Sequence, residues 1–311
     1  MSLYWFMIYD LLIIGGGPAG VAAGVYAGRK KIKTALITEN FNGQSIVSAD
    51  IQNWIGTKSI SGFDLAKNLE EHVRTQDIEI TEGELVEKVE KNISSFFVFI
   101  RGGQKLETKT ILVASGSRRR KLGVPGEQEF DGKGVVYCAT CDVPLFNNKT
   151  VAVVGAGNAG LEAARDLISY ASKIYLLVRG EKIRGDAVTF EEISKSPKVE
   201  IIYDAEVKEI FGDKFVTGLK YLNKKANSLK DLKLEGVFVE IGSVANSGFV
   251  KDFVQLDQWG QIRVDHKTQM SSMPGIWAAG DVTDGLYKQN NIAAGDAIKA
   301  VLNVNDFLSR K

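Results

Sequence analysis

The amino-acid sequence predicts an α/β protein of two domains. A short apolar strand, a glycine-rich turn and a helix follow one another near residue 15, and the same order returns near residue 155. The chain has 311 residues, of which 44% are hydrophobic, so two substantial cores can form.

The first copy places a glycine-rich turn directly after the apolar run 9–14. At this spacing the glycines give a tight turn, a bare backbone against a pyrophosphate, and close contact of helix and strand. A second apolar strand, 34–38, ends at an acid that can accept hydrogen bonds from ribose hydroxyls. The candidate binding residues are Gly15, Gly17, Pro18, Ala19, Gly20 and Glu39. Their order along the chain predicts an adenine dinucleotide site.

The second copy follows the strand 150–154 and differs at the ribose position. Its second strand, 173–177, ends in Val-Arg-Gly with no acid, and the two arginines that follow can pair with a 2′-phosphate. This pattern favours NADPH over NADH as the cofactor of the second site. The alternative is that both arginines are solvated surface residues. The candidate residues are Gly155, Gly157, Asn158, Ala159, Arg179 and Arg184.

Each glycine turn is followed by a strand-rich stretch and then by an apolar strand that ends in a glycine, at Gly116 and Gly242. We therefore predict two Rossmann-like three-layer (ββα) dinucleotide-binding domains, an arrangement suited to hydride transfer between cofactors. The segments 78–100 and 199–222 show the alternation and turn residues typical of small antiparallel meanders.

Two cysteines, Cys138 and Cys141, lie three residues apart, just before the second glycine turn. A disulfide that closes so small a loop stabilises a fold little, and on a helix these positions share a face. Zinc needs two more Cys or His ligands, but the chain offers only His72 and His266, both isolated. We predict a redox-active pair and no metal site; two unrelated buried thiols are the remaining alternative.

Charge and hydropathy argue against several classes of partner. There are 39 basic and 38 acidic residues, so no electrostatic signal for nucleic acid or an acidic membrane appears. The basic run 118–121 is interpreted as a solvated face, with a place near a cofactor phosphate as the alternative. The apolar start 3–14 contains Asp10 and lacks a basic n-region, which predicts a first core strand and a cytoplasmic protein. Whether residues 1–6 are native stays open.

With both turns and the cysteine pair considered together, the chain resembles the low-molecular-weight thioredoxin reductases over essentially its whole length. The cysteine pair lies before the second turn, as in these small reductases, whereas larger disulfide reductases carry it soon after the first. The motifs that carry the resemblance are Gly-Gly-Gly-Pro-Ala-Gly (15–20), Gly43-Gln44, Gln52-Asn53-Trp54, Lys-Leu-Gly-Val-Pro-Gly-Glu (121–127), Cys-Ala-Thr-Cys-Asp (138–142) and Pro-Gly-Ile-Trp-Ala-Ala-Gly-Asp (274–281).

The resemblance implies a domain plan and a set of partners. Residues 1–116 and 243–311 would form an FAD-binding domain, with residues 117–242 inserted as an NAD(P)H-binding domain that pivots on the two crossings. The implied activity is that of an NADPH-dependent thioredoxin-disulfide reductase, with NADH as the alternative donor. Thioredoxin or a thioredoxin-like disulfide protein would be the partner, and a homodimer the assembly.

The resemblance also implies roles for single residues. Cys141 would meet the flavin, and Cys138 would attack the protein substrate. Asp142 would act as general acid and base, a role that is compatible with stabilising the N-terminus of a helix. For the polar residues near the flavin, ordinary surface or capping groups are the alternative. Residues carried over to the flavin site are Gly43, Gln44, Asn53, Gly280, Asp281, Lys288 and Gln289.

Three departures from the family pattern leave donor and acceptor open. The run 178–180 has one arginine where the family often shows His-Arg-Arg, Val143-Pro144 replaces the commoner glycine after Cys-Asp, and Asn42 replaces a glycine. A ferredoxin or NAD(P)H oxidase-type flavoprotein of the same fold is one alternative, against which the cysteine pair argues. An FAD redox-sensing module with weak nicotinamide use is another, supported by the missing arginine.

Overall fold

The computed structural model describes residues 8–48 and 50–310. The question of whether residues 1–6 are native lies outside the described residues. Contacts divide the chain into two compact units, which change over after Arg118 and after Ser243 and also at the short segment Val47–Ile51. The assignment of one unit to FAD and the other to NAD(P)H stays a prediction. Unit 1 comprises the described residues of Met1–Ile46, Gln52–Arg118 and Val244–Lys311, and unit 2 those of Val47–Ile51 and Arg119–Ser243.

Strands and helices alternate along much of the chain. The strands are β1 (Ile8–Ile14), β2 (Thr34–Thr38), β3 (Glu79–Glu82), β4 (Val86–Lys91), β5 (Phe96–Ile100), β6 (Lys105–Val113), β7 (Ser117–Arg119), β8 (Val135–Val136), β9 (Thr150–Val154), β10 (Lys173–Leu177), β11 (Val199–Ile202), β12 (Ala205–Gly212), β13 (Val216–Asn223), β14 (Ser228–Lys233), β15 (Gly236–Val239), β16 (Ser243–Ala245) and β17 (Ile276–Ala278). The helices are α1 (Pro18–Arg29), α2 (Gly62–Arg74), α3 (Ala139–Asp142), α4 (Asn158–Ile168), α5 (Ala187–Ser194) and α6 (Asn290–Ser309). Single 3₁₀ turns occur at Gln44–Val47, Val143–Phe146, Gly248–Val250 and Gly280–Val282.

Unit 1 is built on a sheet in which β1 lies centrally, parallel to β2 on one side and β6 on the other. The strand order is β3-β2-β1-β6-β5-β4, and β17 also pairs with β6. Alternation along β1 sends Leu11 and Ile13 to a core shared with α1 and α6, and Leu12 and Ile14 to a core on the other face. A parallel strand covered on both faces is apolar at nearly every position, which explains the unbroken run in the sequence.

Unit 2 repeats the plan with the parallel order β11-β10-β9-β15-β8. Alternation along β9 again divides two cores, because Val151 and Val153 pack with α4 while Ala152 and Val154 pack towards the antiparallel sheet β12-β13-β14. The predicted fold class is confirmed, with two Rossmann-like α/β units and most of the second inserted between Arg118 and Val244 of the first.

The two predicted meanders were only partly right. In 78–100 the first strand, β3, pairs parallel with β2, and in 199–222 the first strand, β11, pairs parallel with β10. Each of these strands follows a helix, α2 or α5, and a helical crossover returns the chain parallel to the strand before it. Only the later strands of each segment are antiparallel.

None of the helices within 8–48 and 50–310 is long and apolar enough to cross a membrane.

Candidate functional site

The first glycine turn of unit 1 presents bare backbone to a cavity. A β-carbon on Gly20 would lie 1.8 Å from the carbonyl oxygen of Gly15, so the helix can approach the strand only with glycine there. Gly17 caps α1, and a β-carbon on it would have no neighbour within 4 Å. Open space therefore faces the peptide groups at the helix N-terminus, the usual place for a pyrophosphate.

The cavity beside this turn has a volume of about 920 Å³, within the range of cofactor sites. Most residues predicted for the first site line it, while Gly20 packs behind the turn against Gly15. The predicted residues in its wall are Gly15, Gly17, Pro18, Ala19, Glu39, Gly43, Gln44, Gly280 and Asp281. Bare backbone, an acid after β2 and this volume fit the FAD that the resemblance implies.

A polar pair forms one side of the cavity. Gly280 has φ of 76°, and its Cα lies so close to α1 that a β-carbon would be 3.3 Å from that of Ala19. This approach brings Asp281 beside the glycine turn, where its Oδ2 accepts a hydrogen bond from Gln44 Nε2 at 2.9 Å. The same amide nitrogen donates to Ser117 Oγ at 3.2 Å. Carboxylate, amide and hydroxyl together can bind the polyhydroxy chain of a dinucleotide.

Three residues carried over to the flavin lie outside this lining. Asn53 Nδ2 donates to Gln289 Oε1 at 3.1 Å, and Lys288 Nζ donates to the carbonyl oxygen of Thr283. Burial lowers the pKa of Lys288, although Asp281 and other acids oppose the shift. Their assignment to the flavin stays a prediction.

Sequence reasoning missed several residues that line the cavity. Asn246 Nδ2 donates to the carbonyl oxygen of Ser115 at 2.9 Å, and Arg118 Nη1 donates to Asn246 Oδ1 at 3.2 Å. Trp259 and Arg101 also line the wall. No local pattern marks Asn246 or Trp259, whereas Arg118 belongs to the basic run for which a place near a cofactor phosphate was the alternative.

The second glycine turn, in unit 2, repeats the geometry of the first. A β-carbon on Gly160 would lie 2.0 Å from the carbonyl oxygen of Gly155, and Gly157 caps α4 with nothing within 4 Å. Asn158 Oδ1 accepts the N–H of Asp186 at 2.9 Å, and the N–H of Arg184 donates to the carbonyl oxygen of Ala156. The segment around Arg184 is thus held against the turn.

Exposed cations follow the carboxyl end of β10. Arg179 and Arg184 are both exposed, and Lys182, which sequence reasoning passed over, lies between them. Arg179 contributes, after Lys208 and Lys224, to lowering the pKa of the Glu206 carboxyl. A loop with three cations at this end of the strand suits a phosphate.

The two cysteines form a disulfide, as predicted, with their Cα atoms 5.4 Å apart. Cys138 precedes α3, and its carbonyl oxygen accepts hydrogen bonds from the N–H groups of Cys141 at 3.2 Å and Asp142 at 3.0 Å. One helical turn therefore holds both sulfurs on one side; we call residues 138–142 the redox turn. Within the part of the chain that is described, no group of three or more His, Cys, Asp or Glu side chains is arranged to hold a metal ion.

Two buried carboxyl groups accompany the redox turn. Asp142 is 7% exposed, and burial raises its pKa to about 6 against the opposing charge of Arg119. Glu240 is 6% exposed, and burial raises its pKa to about 7, opposed by Arg119 and by a hydrogen bond from the N–H of Ala139. Sequence reasoning missed Glu240, whose only signal is a single acid in the apolar run 237–241.

The chain matches the model of the pyridine nucleotide-disulphide oxidoreductase family over residues 9–297 and belongs to that family, whose members use FAD and NAD(P)H. Within it, the resemblance to low-molecular-weight thioredoxin reductases is confirmed. Thioredoxin reductase from Streptococcus pyogenes MGAS5005 matches with a TM-score of 0.91 at 34% identity, covering 98% of this chain and 100% of that one. Thioredoxin reductase from Giardia duodenalis matches with a TM-score of 0.90 at 31% identity, covering 97% and 99%.

Curated relatives carry other names. "NADH dehydrogenase" from Bacillus subtilis (strain 168) is 40% identical over 302 residues, and a subunit of the alkyl hydroperoxide reductase of Pseudomonas aeruginosa is 43% identical over 306 residues. Both matches cover 97% of this chain but only 59% and 58% of the relatives. The chain therefore spans less than two thirds of the length of these proteins.

Proposed function

We propose that this protein is an FAD-dependent reductase that passes electrons from NAD(P)H to the disulfide of thioredoxin or a thioredoxin-like protein. The observation that carries the proposal is the Cys138–Cys141 disulfide on a single turn, with Asp142 buried at the end of that turn. A disulfide so placed contributes little to stability and is suited to redox chemistry. The likeness to solved thioredoxin reductases supports the choice of partner.

The glycine turn 15–20, Glu39 and the Gln44–Asp281 pair would hold FAD. When bound, FAD supplies two-electron chemistry, accepting hydride from a nicotinamide and passing electrons to a disulfide. On reduction the Cys138–Cys141 bond breaks, and two electrons and two protons convert it to two thiols.

Thiol exchange then returns the chain to its starting state. The Cys138 thiolate attacks the disulfide of the partner protein, whose S–S bond breaks as a mixed disulfide forms. The Cys141 thiolate attacks the Cys138 sulfur, the partner leaves with two thiols, and the Cys138–Cys141 bond forms again. Asp142, whose pKa of about 6 lies near neutral pH, holds or releases the proton at the neighbouring sulfur.

Valine at Gly17 is expected to remove FAD without unfolding the protein, whereas valine at Gly157 is expected to spare FAD and block NAD(P)H. Both positions cap a helix, and no atom lies within 4 Å of an added β-carbon at either. Side chains there obstruct the bare backbone that a pyrophosphate approaches. Flavin absorbance of the purified proteins and anaerobic reduction by NAD(P)H are the measurements, with the far-UV circular dichroism of both variants as the control for folding. Full flavin content in Gly17→Val would contradict the assignment of the first site.

Replacing Arg179 and Arg184 with alanine is expected to raise the KM for NADPH roughly tenfold while leaving that for NADH unchanged, as for one lost charge-assisted hydrogen bond. Both side chains are exposed and follow β10, so folding is not at stake. The matched control is Lys195→Ala, an exposed cation that follows α5 and bonds to Glu191. Equal KM values for NADPH in the wild type and the double variant would show that these arginines do not bind the 2′-phosphate.

An anaerobic titration tests the proposed function. The flavin absorbance is followed while NADPH, then NADH, is added, and thioredoxin is then supplied as electron acceptor. We expect bleaching by a nicotinamide and recovery of the flavin colour on addition of thioredoxin. The flavin of a redox-sensing module would be bleached by neither donor. In a separate assay, a ferredoxin or oxidase-type flavoprotein would reduce ferredoxin or oxygen rapidly even with both cysteines replaced.

A second candidate function is that of the reductase component in an alkyl hydroperoxide reductase, favoured by the 43% identity to the Pseudomonas aeruginosa protein of that name. The acceptor would then be the disulfide of a thiol peroxidase. Comparing kcat/KM for thioredoxin and for a thiol peroxidase, at equal enzyme concentration, separates the two. As a thioredoxin-disulfide reductase, the protein is proposed to act as a homodimer in the cytoplasm. The mass of the purified protein, measured by sedimentation, tests the dimer.

A further inference from the structure

Glu240 connects the second glycine turn to the redox turn within unit 2. It directly follows β15, and its N–H donates to the carbonyl oxygen of Val154 at 2.8 Å. Its own carbonyl oxygen lies against Gly155, so closely that a β-carbon on Gly155 would be 2.2 Å away. Its side-chain Oε1 accepts the N–H of Ala139 at 3.2 Å. The backbone of Glu240 thus lies against the second glycine turn, while its carboxyl group holds the redox turn.

The carboxyl group of Glu240 lies among charged groups of both signs. Arg119 faces it with the opposite charge, whereas Asp142 on the redox turn and the exposed Glu162 on α4 face it with like charge. Arg119 also faces Asp142. Two buried carboxyls therefore share one guanidinium, and ionising both leaves an excess negative charge where solvation is weak.

We infer that Glu240 is a positioning residue for the dithiol: its carboxyl group anchors the redox turn through the N–H of Ala139 and places a negative charge beside the reduced cysteines. The inference rests on the proposed function for its role in turnover, though not for its test. Because Ala139 directly follows Cys138, the hydrogen bond and the charge of Glu240 both act next to the dithiol.

Glutamine at position 240 keeps the size of the side chain and the oxygen that accepts the Ala139 N–H, but removes the charge. Arg119 then faces Asp142 without a competing acid. In the variant Glu240→Gln we expect the pH midpoint for alkylation of the reduced cysteines to fall by about one unit, since a nearby negative charge that disfavours thiolate is lost. The pKa values of about 6 for Asp142 and about 7 for Glu240 support a change within the accessible pH range.

The experiment uses the FAD-loaded protein reduced with dithiothreitol, freed of reductant and alkylated with iodoacetamide from pH 5 to pH 10. Chemical reduction makes the readout independent of NAD(P)H and of thioredoxin, so failure of the proposed function shows as an inactive wild-type protein with a normal alkylation profile. The control is Glu235→Gln, because Glu235 precedes the same strand and accepts the N–H of Thr150 but is exposed. Its midpoint should match that of the wild type.

A second variant, Glu240→Ala, removes the acceptor as well as the charge. We expect the same fall in midpoint, together with hydrogen exchange in the peptide containing residues 138–142 that is faster by roughly tenfold, as for one lost hydrogen bond. This variant also serves if the glutamine protein does not fold. Alkylation midpoints unchanged from that of the wild type in the folded variants would overturn the inference.

Discussion

Serine at position 141 should abolish reduction of every disulfide substrate while NADPH still reduces the flavin. The sequence contains two cysteines, and both lie on the redox turn, so removal of one leaves no second sulfur to complete exchange. We expect kcat for thioredoxin to fall below detection, at least 1,000-fold in order of magnitude, since the loss of a nucleophile is not compensated by other groups.

The two cysteines can be told apart by trapping. In Cys141→Ser the remaining Cys138 should form a mixed disulfide with thioredoxin that persists, because no neighbouring thiol displaces it. Cys138→Ser serves as the matched control, and should form little of this adduct. Gel electrophoresis without reductant measures both. Thioredoxin turnover by the Cys141→Ser protein, or trapping by Cys138→Ser instead, would contradict the assigned roles.

These substitutions should leave the fold intact. The disulfide closes a loop with a sequence separation of 3 residues, and the chain-entropy contribution of so small a loop is about 2 kcal/mol or less. Urea denaturation of the reduced wild type and of both serine variants tests this, with similar midpoints as the expected result.

Asparagine at position 142 is expected to slow disulfide reduction about 100-fold at pH 7, the usual contribution of a positioned general acid and base. The side chain is buried and follows Cys141 directly, and asparagine keeps its size without its proton. The pH profile of kcat should also lose its limb near pH 6, the pKa of the aspartate. Asp166→Asn, an exposed change on α4 in the same unit, should alter neither quantity.

The same substitution should stabilise the protein at alkaline pH. Burial raises the pKa of Asp142 from 3.8 to about 6, so the folded state disfavours its ionised form. The stability that this group contributes is present below pH 3.8 and is lost as the pH rises through 6. The free energy of unfolding of Asp142→Asn should therefore exceed that of the wild type by up to about 3 kcal/mol at pH 8. Urea denaturation at pH 4 and pH 8 measures the difference, which should shrink towards zero at the lower pH. A variant that is fully active and no more stable would refute both the catalytic role and the burial penalty.

The parts of the fold that the sequence predicts well are those set by local pattern. Alternating burial along β1 and β9, glycine at positions 20 and 160, and a cysteine pair at helical spacing all depend on residues close together in the chain. The glycines are required because a carbonyl oxygen occupies the place of a β-carbon, a constraint that appears directly as a motif.

Long-range contacts account for what the sequence did not predict. Glu240 meets Ala139 across 101 residues of chain, and Asn246 meets Ser115 across 131, so no window of sequence contains both partners. The first strand in each predicted meander likewise depends on pairing with a distant strand. The position of the polar groups after β15 therefore becomes visible only once the sheets are formed.

The most direct test of the central claim is to count thiols after anaerobic reduction of the wild-type protein with NADPH, followed by alkylation and mass spectrometry. Electrons that reach the redox turn should leave both Cys138 and Cys141 alkylated in most molecules, and protein kept without NADPH should carry no label. Reduced flavin together with an unlabelled, intact Cys138–Cys141 disulfide would contradict the claim that this pair carries electrons from the nicotinamide to the acceptor.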